Sequence, residues 1–188
     1  YSIFDNDQAA PLGPDTGGGA IYIEGSKRGV LVVGSTFTND SGANAGAIGA
    51  LNAELDVYDS LVQGNTATGH DANNDDASKC SVMNNGQNEI GSGGNGGGVY
   101  ADGNDFNVTL CGDAIVNNAA GTNAFGGGIF FTSDNWTGVL SNVDSTVTGN
   151  TGGHWTNVKS GSVTNAGTAV GTNAQSIDIT SSTVQGVP

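Results

Sequence analysis

The chain has 188 residues, with 4 Lys plus Arg against 18 Asp plus Glu for a formal net charge of −14, and 33 Gly with 22 Asn fill 55 positions. A chain this acidic does not neutralise phosphates, which argues against nucleic acid as a partner and against docking on anionic lipid. It contains no run of about eighteen apolar residues, so membrane insertion is not expected, and its Gly and Asn content disfavours a helical bundle. The 36% hydrophobic content, rich in Val, Ile and Ala, is more than a disordered chain carries. The length fits one domain over residues 1–188. The first residue is Tyr1 rather than Met, which reads as a processed chain or a fragment.

In chain order, short β-rich runs alternate with glycine clusters. Ser2-Ile3-Phe4-Asp5-Asn6-Asp7 predicts a first strand closed by Asn and Asp, followed by a loop from Ala9 to Thr16 with Pro11 and Pro14. Gly18-Gly19-Ala20-Ile21-Tyr22 starts a second strand, and Lys27-Arg28 marks the turn before a third, Val30-Leu31-Val32-Val33. The set then recurs. Ser35-Thr36-Phe37-Thr38-Asn39-Asp40 is followed by Ala45-Gly46-Ala47-Ile48, Leu55-Asp56-Val57 and Ser60-Leu61-Val62-Gln63-Gly64-Asn65. Leu51, Leu55, Tyr58 and Val62 also fit one face of a helix, but the flanking glycines leave little room for a capped one, so strands are expected. An insertion near 66–95 precedes Gly96-Gly97-Gly98-Val99-Tyr100, Val108-Thr109-Leu110 and Asp113-Ala114-Ile115-Val116-Asn117-Asn118. Further copies are Gly126-Gly127-Gly128-Ile129-Phe130, Val139-Leu140-Ser141 and Ser145-Thr146-Val147-Thr148-Gly149-Asn150. The last are Ala166-Gly167-Thr168-Ala169-Val170, Ile177-Asp178-Ile179 and Ser182-Thr183-Val184-Gln185-Gly186-Val187.

The central apolar residues of the Ser-started runs fall at 4, 37, 62, 115, 147 and 184, spaced by 33, 25, 53, 32 and 37. Three short strands per repeat, separated by Gly/Asn turns, are what a three-sided parallel β-solenoid requires. In such a winding each strand pairs with its counterpart one turn on, so like positions stack. Phe4, Phe37, Val62, Ile115, Val147 and Val184 are expected to form one inward core ladder, and Asp7, Asp40, Asn65, Asn118 and Asn150 a turn ladder. Cys80 and Cys111 are expected to form one disulfide in a secreted chain, closing about 30 residues for roughly 3 to 4 kcal/mol; the alternative is two buried free thiols.

Gly18-Gly19-Ala20-Ile21 with Phe37-Thr38-Asn39-Asp40 resembles the GGAI and FxxN repeats of polymorphic outer-membrane proteins, and more broadly secreted right-handed parallel β-helix proteins of the pectate-lyase-like superfold. The resemblance covers most of the chain apart from about 66–95 and 152–165; most repeats here carry Val or Ile in place of Phe. It implies an all-β, single-stranded right-handed parallel β-helix of about five to six coils with one loop insertion. The group it points to includes adhesins, surface proteins and polysaccharide-degrading enzymes, so it leaves activity open.

Chemistry is sparse in the sequence. Arg28 is the single arginine, too little both to bind an anionic polymer and to abstract a proton, and the net charge repels such a substrate. Asp75-Asp76 with His70-Asp71 supply two-carboxylate chemistry only in a Gly/Asn-rich insertion. No catalytic residue is assigned. Asp71, Asn73 and Asp75 match the opening of a calcium loop, but Asp76 stands where the turn glycine belongs and Val82 where the closing glutamate belongs; calcium is the one cofactor candidate. His70 and His154 lack companion zinc ligands. Threonines at 36, 38, 146 and 148 are interrupted by Leu61, Gln63, Ala114 and Val116, which leaves ice binding a minor alternative. Asn39, Asn107 and Asn135 begin N-x-S/T sequons, and Trp136 and Trp155 are the aromatics for sugar stacking.

Neither end shows an amphipathic cap, and uncapped coils invite stacking. The expectation is therefore an extracellular or cell-surface structural protein that is not an enzyme, whose partner is itself, head-to-tail in fibres, or a surface in adhesion. A polysaccharide-binding or polysaccharide-degrading β-helix protein is the alternative.

Overall fold

A computed structural model describes residues 1–10, 17–71, 92–122, 124–133, 137–152, 176–177 and 182–185. Among these residues every regular element is a strand. The chain runs through β1 (Ile3–Asp5), β2 (Ile21–Glu24), β3 (Val30–Val33), β4 (Thr36–Thr38), β5 (Ser41–Gly42), β6 (Ile48–Leu51), β7 (Leu55–Tyr58) and β8 (Leu61–Gln63). It continues through β9 (Thr66–Ala67), β10 (His70–Asp71), β11 (Ser92–Gly93), β12 (Val99–Gly103), β13 (Asn107–Cys111) and β14 (Ala114–Val116). β15 (Ile129–Ser133), β16 (Val139–Val143), β17 (Thr146–Thr148), β18 (Ser176–Ile177) and β19 (Ser182–Gln185) complete the set. Leu51, Leu55, Tyr58 and Val62 thus lie on three successive strands. Asn52 and Asp59, at φ of 50° each, break any helix between them.

Three sheets carry the fold: six strands in the order β1-β4-β8-β14-β17-β18, five in the order β19-β15-β12-β6-β2, and four in the order β16-β13-β7-β3. The strands pair in parallel. From β2 to β4, β6 to β8, β12 to β14 and β15 to β17 the chain visits the five-, four- and six-stranded sheets in the same sequence. Each strand therefore meets a partner from the next round rather than its neighbour in sequence.

The pairing is in register, so inward residues form columns. Phe4 lies opposite Phe37, Phe37 opposite Val62, Val62 opposite Ile115 and Ile115 opposite Val147. The Phe4 and Phe37 rings stack at 4.7 Å and 2°. Val184 departs from the expectation: Ile177 lies opposite Val147, and Val184 lies opposite Phe131 in the five-stranded sheet. A Thr-Val-Gln run suits either sheet. Phe4, Phe37, Val62, Ile115 and Val147 each have Asn or Asp three residues on; Val184 has Val187 there and Ile177 has Thr180, so neither carries the mark that sets the other five apart.

Columns from all three sheets meet in one core that holds Ile48, Leu55, Val57, Val62, Val99, Val108, Leu110, Ile115, Ile129 and Phe131. Fully burying each such side chain is worth about 1.5 to 3 kcal/mol. Both ends of the expected insertion belong to short strands: β9 pairs with β5, and β10 with β11. Among the described residues Cys111 carries a free thiol; Cys80, its expected bridge partner, lies outside them.

Candidate functional site

The turns after β1, β4, β8, β14 and β17 each need one left-handed residue, supplied by Asn6, Asn39, Gly64, Asn117 and Gly149 at φ of 61°, 59°, 69°, 57° and 67°. That turn aims the next side chain inward. The N–H of Asp7 donates to Asp40 Oδ1 at 2.9 Å, that of Asp40 to Asn65 Oδ1 at 2.9 Å, that of Asn65 to Asn118 Oδ1 at 3.0 Å, and that of Asn118 to Asn150 Oδ1 at 2.8 Å. Each amide also donates. Asn65, Asn118 and Asn150 give Nδ2–H to the carbonyls of Phe37, Val62 and Ile115, at 3.1, 3.0 and 2.9 Å. Asn65 and Asn118 further link to the next Oδ1, both at 2.9 Å. The members from Asp40 to Asn150 are all buried. From Asn65 to Asn150 every side-chain polar atom of the column is paired, and a network satisfied in this way fixes which strand lies over which.

A second column runs beside it. The N–H of Ser2 donates to Ser35 Oγ, that of Ser35 to Ser60 Oγ, that of Ser60 to Asp113 Oδ1 and that of Asp113 to Ser145 Oγ, at 3.2, 3.1, 2.8 and 3.0 Å. Ser35, Ser60 and Ser145 each donate to the carbonyl two residues back, that of Val33, Tyr58 or Val143. The sequence signal for this column is the serine or aspartate opening each repeat. A third, shorter column links the Asn95 N–H to Asn44 Oδ1 and the Phe125 N–H to Asn95 Oδ1, at 2.8 and 2.9 Å.

Two carboxyls inside these columns are perturbed. Asp40, 1% exposed, is pushed up to about 6, chiefly by burial; the Asp7 N–H opposes that shift, and the charges of Asp7 and Asp5 add to it. Asp113 is pushed up to about 7, again chiefly by burial, against the N–H groups of Ser60 and Cys111 and with the charge of Asp59 adding. Asp5, at the surface, is held below its ordinary value by hydrogen bonds from Thr38 and Asn39. Burial and the nearby Asp144, Asp113 and Asp59 raise the Cys111 thiol, which keeps it protonated and a poor nucleophile.

The other expected sites fall mostly outside the described residues. Asp71 lies on β10 with its backbone opposite Gly93, while Asn73 and Asp75 lie outside the described residues. Asp76, His154, Trp136 and Trp155 also lie outside them. Among the described residues no group of three or more His, Cys, Asp or Glu side chains is placed to hold a metal ion, and no helix is long and apolar enough to cross a membrane. Asn39 is exposed, and its side chain donates to Asp5 at 3.1 Å. No protein-family model, curated protein or solved structure matches the chain.

Proposed function

We propose that the chain is a right-handed parallel β-helix serving as an extracellular or cell-surface structural protein, which self-associates by stacking rungs end to end into fibres or acts in adhesion. The observation that carries this reading is the buried Asp40–Asn65–Asn118–Asn150 column, which joins successive strands by side chain as well as by backbone. The two strongly raised carboxyls, the groups a catalytic reading would select, are rungs of such columns. Asp113 spends Oδ1 on the Ser60 N–H and Oδ2 on the Cys111 N–H.

The columns also have direction. At every step of the turn and serine columns the later strand supplies the side-chain oxygen and the earlier strand the N–H. A strand added ahead of β1 would donate to Asp7 and Ser2, which makes the contact heterologous and open-ended. The β1 edge carries Ile3 at 80% exposure and a half-buried Phe4, apolar surface that another rung would cover. A formal charge of −14 opposes this association until salt screens it.

Electron microscopy of the purified protein at low and near-physiological salt tests the proposal. Unbranched fibres that lengthen with salt are expected. Discrete particles, with monodisperse monomers in light scattering at high concentration, would overturn it.

A further inference from the structure

The column of buried amides contains one acid. Asn65, Asn118 and Asn150 each use Nδ2–H to reach the anchor carbonyl one strand back, that of Phe37, Val62 or Ile115. By the same step the carbonyl facing Asp40 is that of Phe4 on β1. Asp40 presents Oδ2 in place of an amide nitrogen, and this oxygen is buried with no hydrogen-bond partner among the described residues. The side-chain donor that does reach the Phe4 carbonyl, Thr38 Oγ1, is at 3.5 Å, the limit of a hydrogen bond. Two oxygens that face each other inside a protein repel unless one carries a proton.

We propose that Asp40 is a proton-operated latch: protonated, its Oδ2–H donates to the Phe4 carbonyl and holds the β1 segment on β4, and ionised, it loses that bond and lets the segment lift. The inference concerns contacts within one chain and stands whether or not copies associate.

The surroundings favour the neutral form. Asp5 on β1 and Asp7 just after it bring like charge. From the other side, Leu61 to Ala67 contains no titratable group, and neither does Thr36 to Ala43 apart from Asp40. Burial points the same way, toward a carboxyl that titrates near 6. The sign follows by linkage: docked β1 binds the proton more tightly than lifted β1, so docking is strongest in acid and weakens as pH rises through about 4 to 6.

Hydrogen exchange at Asn6, Asp7 and Ala9, whose amides donate to Thr38 O, Asp40 Oδ1 and Ser41 O, reads the latch directly. After correction for intrinsic rates, protection there is expected to fall about 50-fold between pH 4 and pH 7, with core amides such as Ile115 unchanged. Asp40→Asn is expected to hold protection flat with pH. A carbon-13 titration of the unaltered protein is expected to place the Asp40 carboxyl near 6 and serves even if the variant does not fold. Asp40 titrating in the ordinary carboxylate range, equal losses at the core amides, or an Asp40→Asn protein that loses protection as its parent does would each overturn the proposal.

Discussion

Asp113 occupies a position that its column neighbours Ser35, Ser60 and Ser145 fill with a hydroxyl. Serine satisfies both directions of that column without charge, whereas aspartate brings a carboxyl that burial pushes up to about 7. A carboxyl raised in the folded state lowers stability as pH climbs from its ordinary value through the raised one. Relative to the parent, Asp113→Ser should therefore gain about 1–2 kcal/mol on passing from pH 4.5 to pH 8, measured as the shift in denaturant midpoint. An unchanged difference between the two pH values would remove the linkage. The turn column could be read from the sequence because an Asn or Asp three residues beyond an apolar anchor has one geometric use. The serine column could not, since serine opens turns, caps and strands alike. Asn142 shows the limit of such reading. It stands in the inward column of Val32, Val57 and Leu110, with both amide atoms buried and unpartnered among the described residues, and nothing in the structure accounts for it.

Strands in the five-stranded sheet begin at glycines that pass close to one another. A methyl on Gly46 would meet the Gly97 carbonyl at 2.1 Å, one on Gly97 the Gly127 carbonyl at 2.3 Å, and one on Gly127 the Thr151 carbonyl at 2.4 Å. The sequence marks these pairs as corners; what requires them is contact between backbones of adjacent rounds, which only the stacked structure reveals. Gly97→Ala should cost at least about 3 kcal/mol, seen as a fall of several degrees or more in Tm, since backbone cannot yield as a side chain would. A variant as stable as its parent would show that the rounds are not packed this closely. Strand type was legible wherever a glycine pair or an Asn marked the sheet. Val184 carries neither mark, and its alternation alone did not say which sheet it joins.

The whole molecule depends on like positions lying over like positions through successive rounds, from the stacked Phe4 and Phe37 rings to the amides of Asn118 and Asn150. The proposed self-association, the proposed latch on β1 and the placement of the buried acids all rest on that register. Cys111 offers a direct probe, because it lies opposite Val143 in the four-stranded sheet and carries a free thiol. Residues paired across adjacent parallel strands lie about 4.8 Å apart, within the span of a disulfide. The measurement is mild oxidation of Val143→Cys and, separately, Val139→Cys, each with Cys80→Ser, followed by mass spectrometry of the peptides. Register stacking requires bridging of Cys111 to the thiol introduced at position 143 and none to the one at 139. Equal bridging at both positions, or bridging at 139 alone, would contradict it.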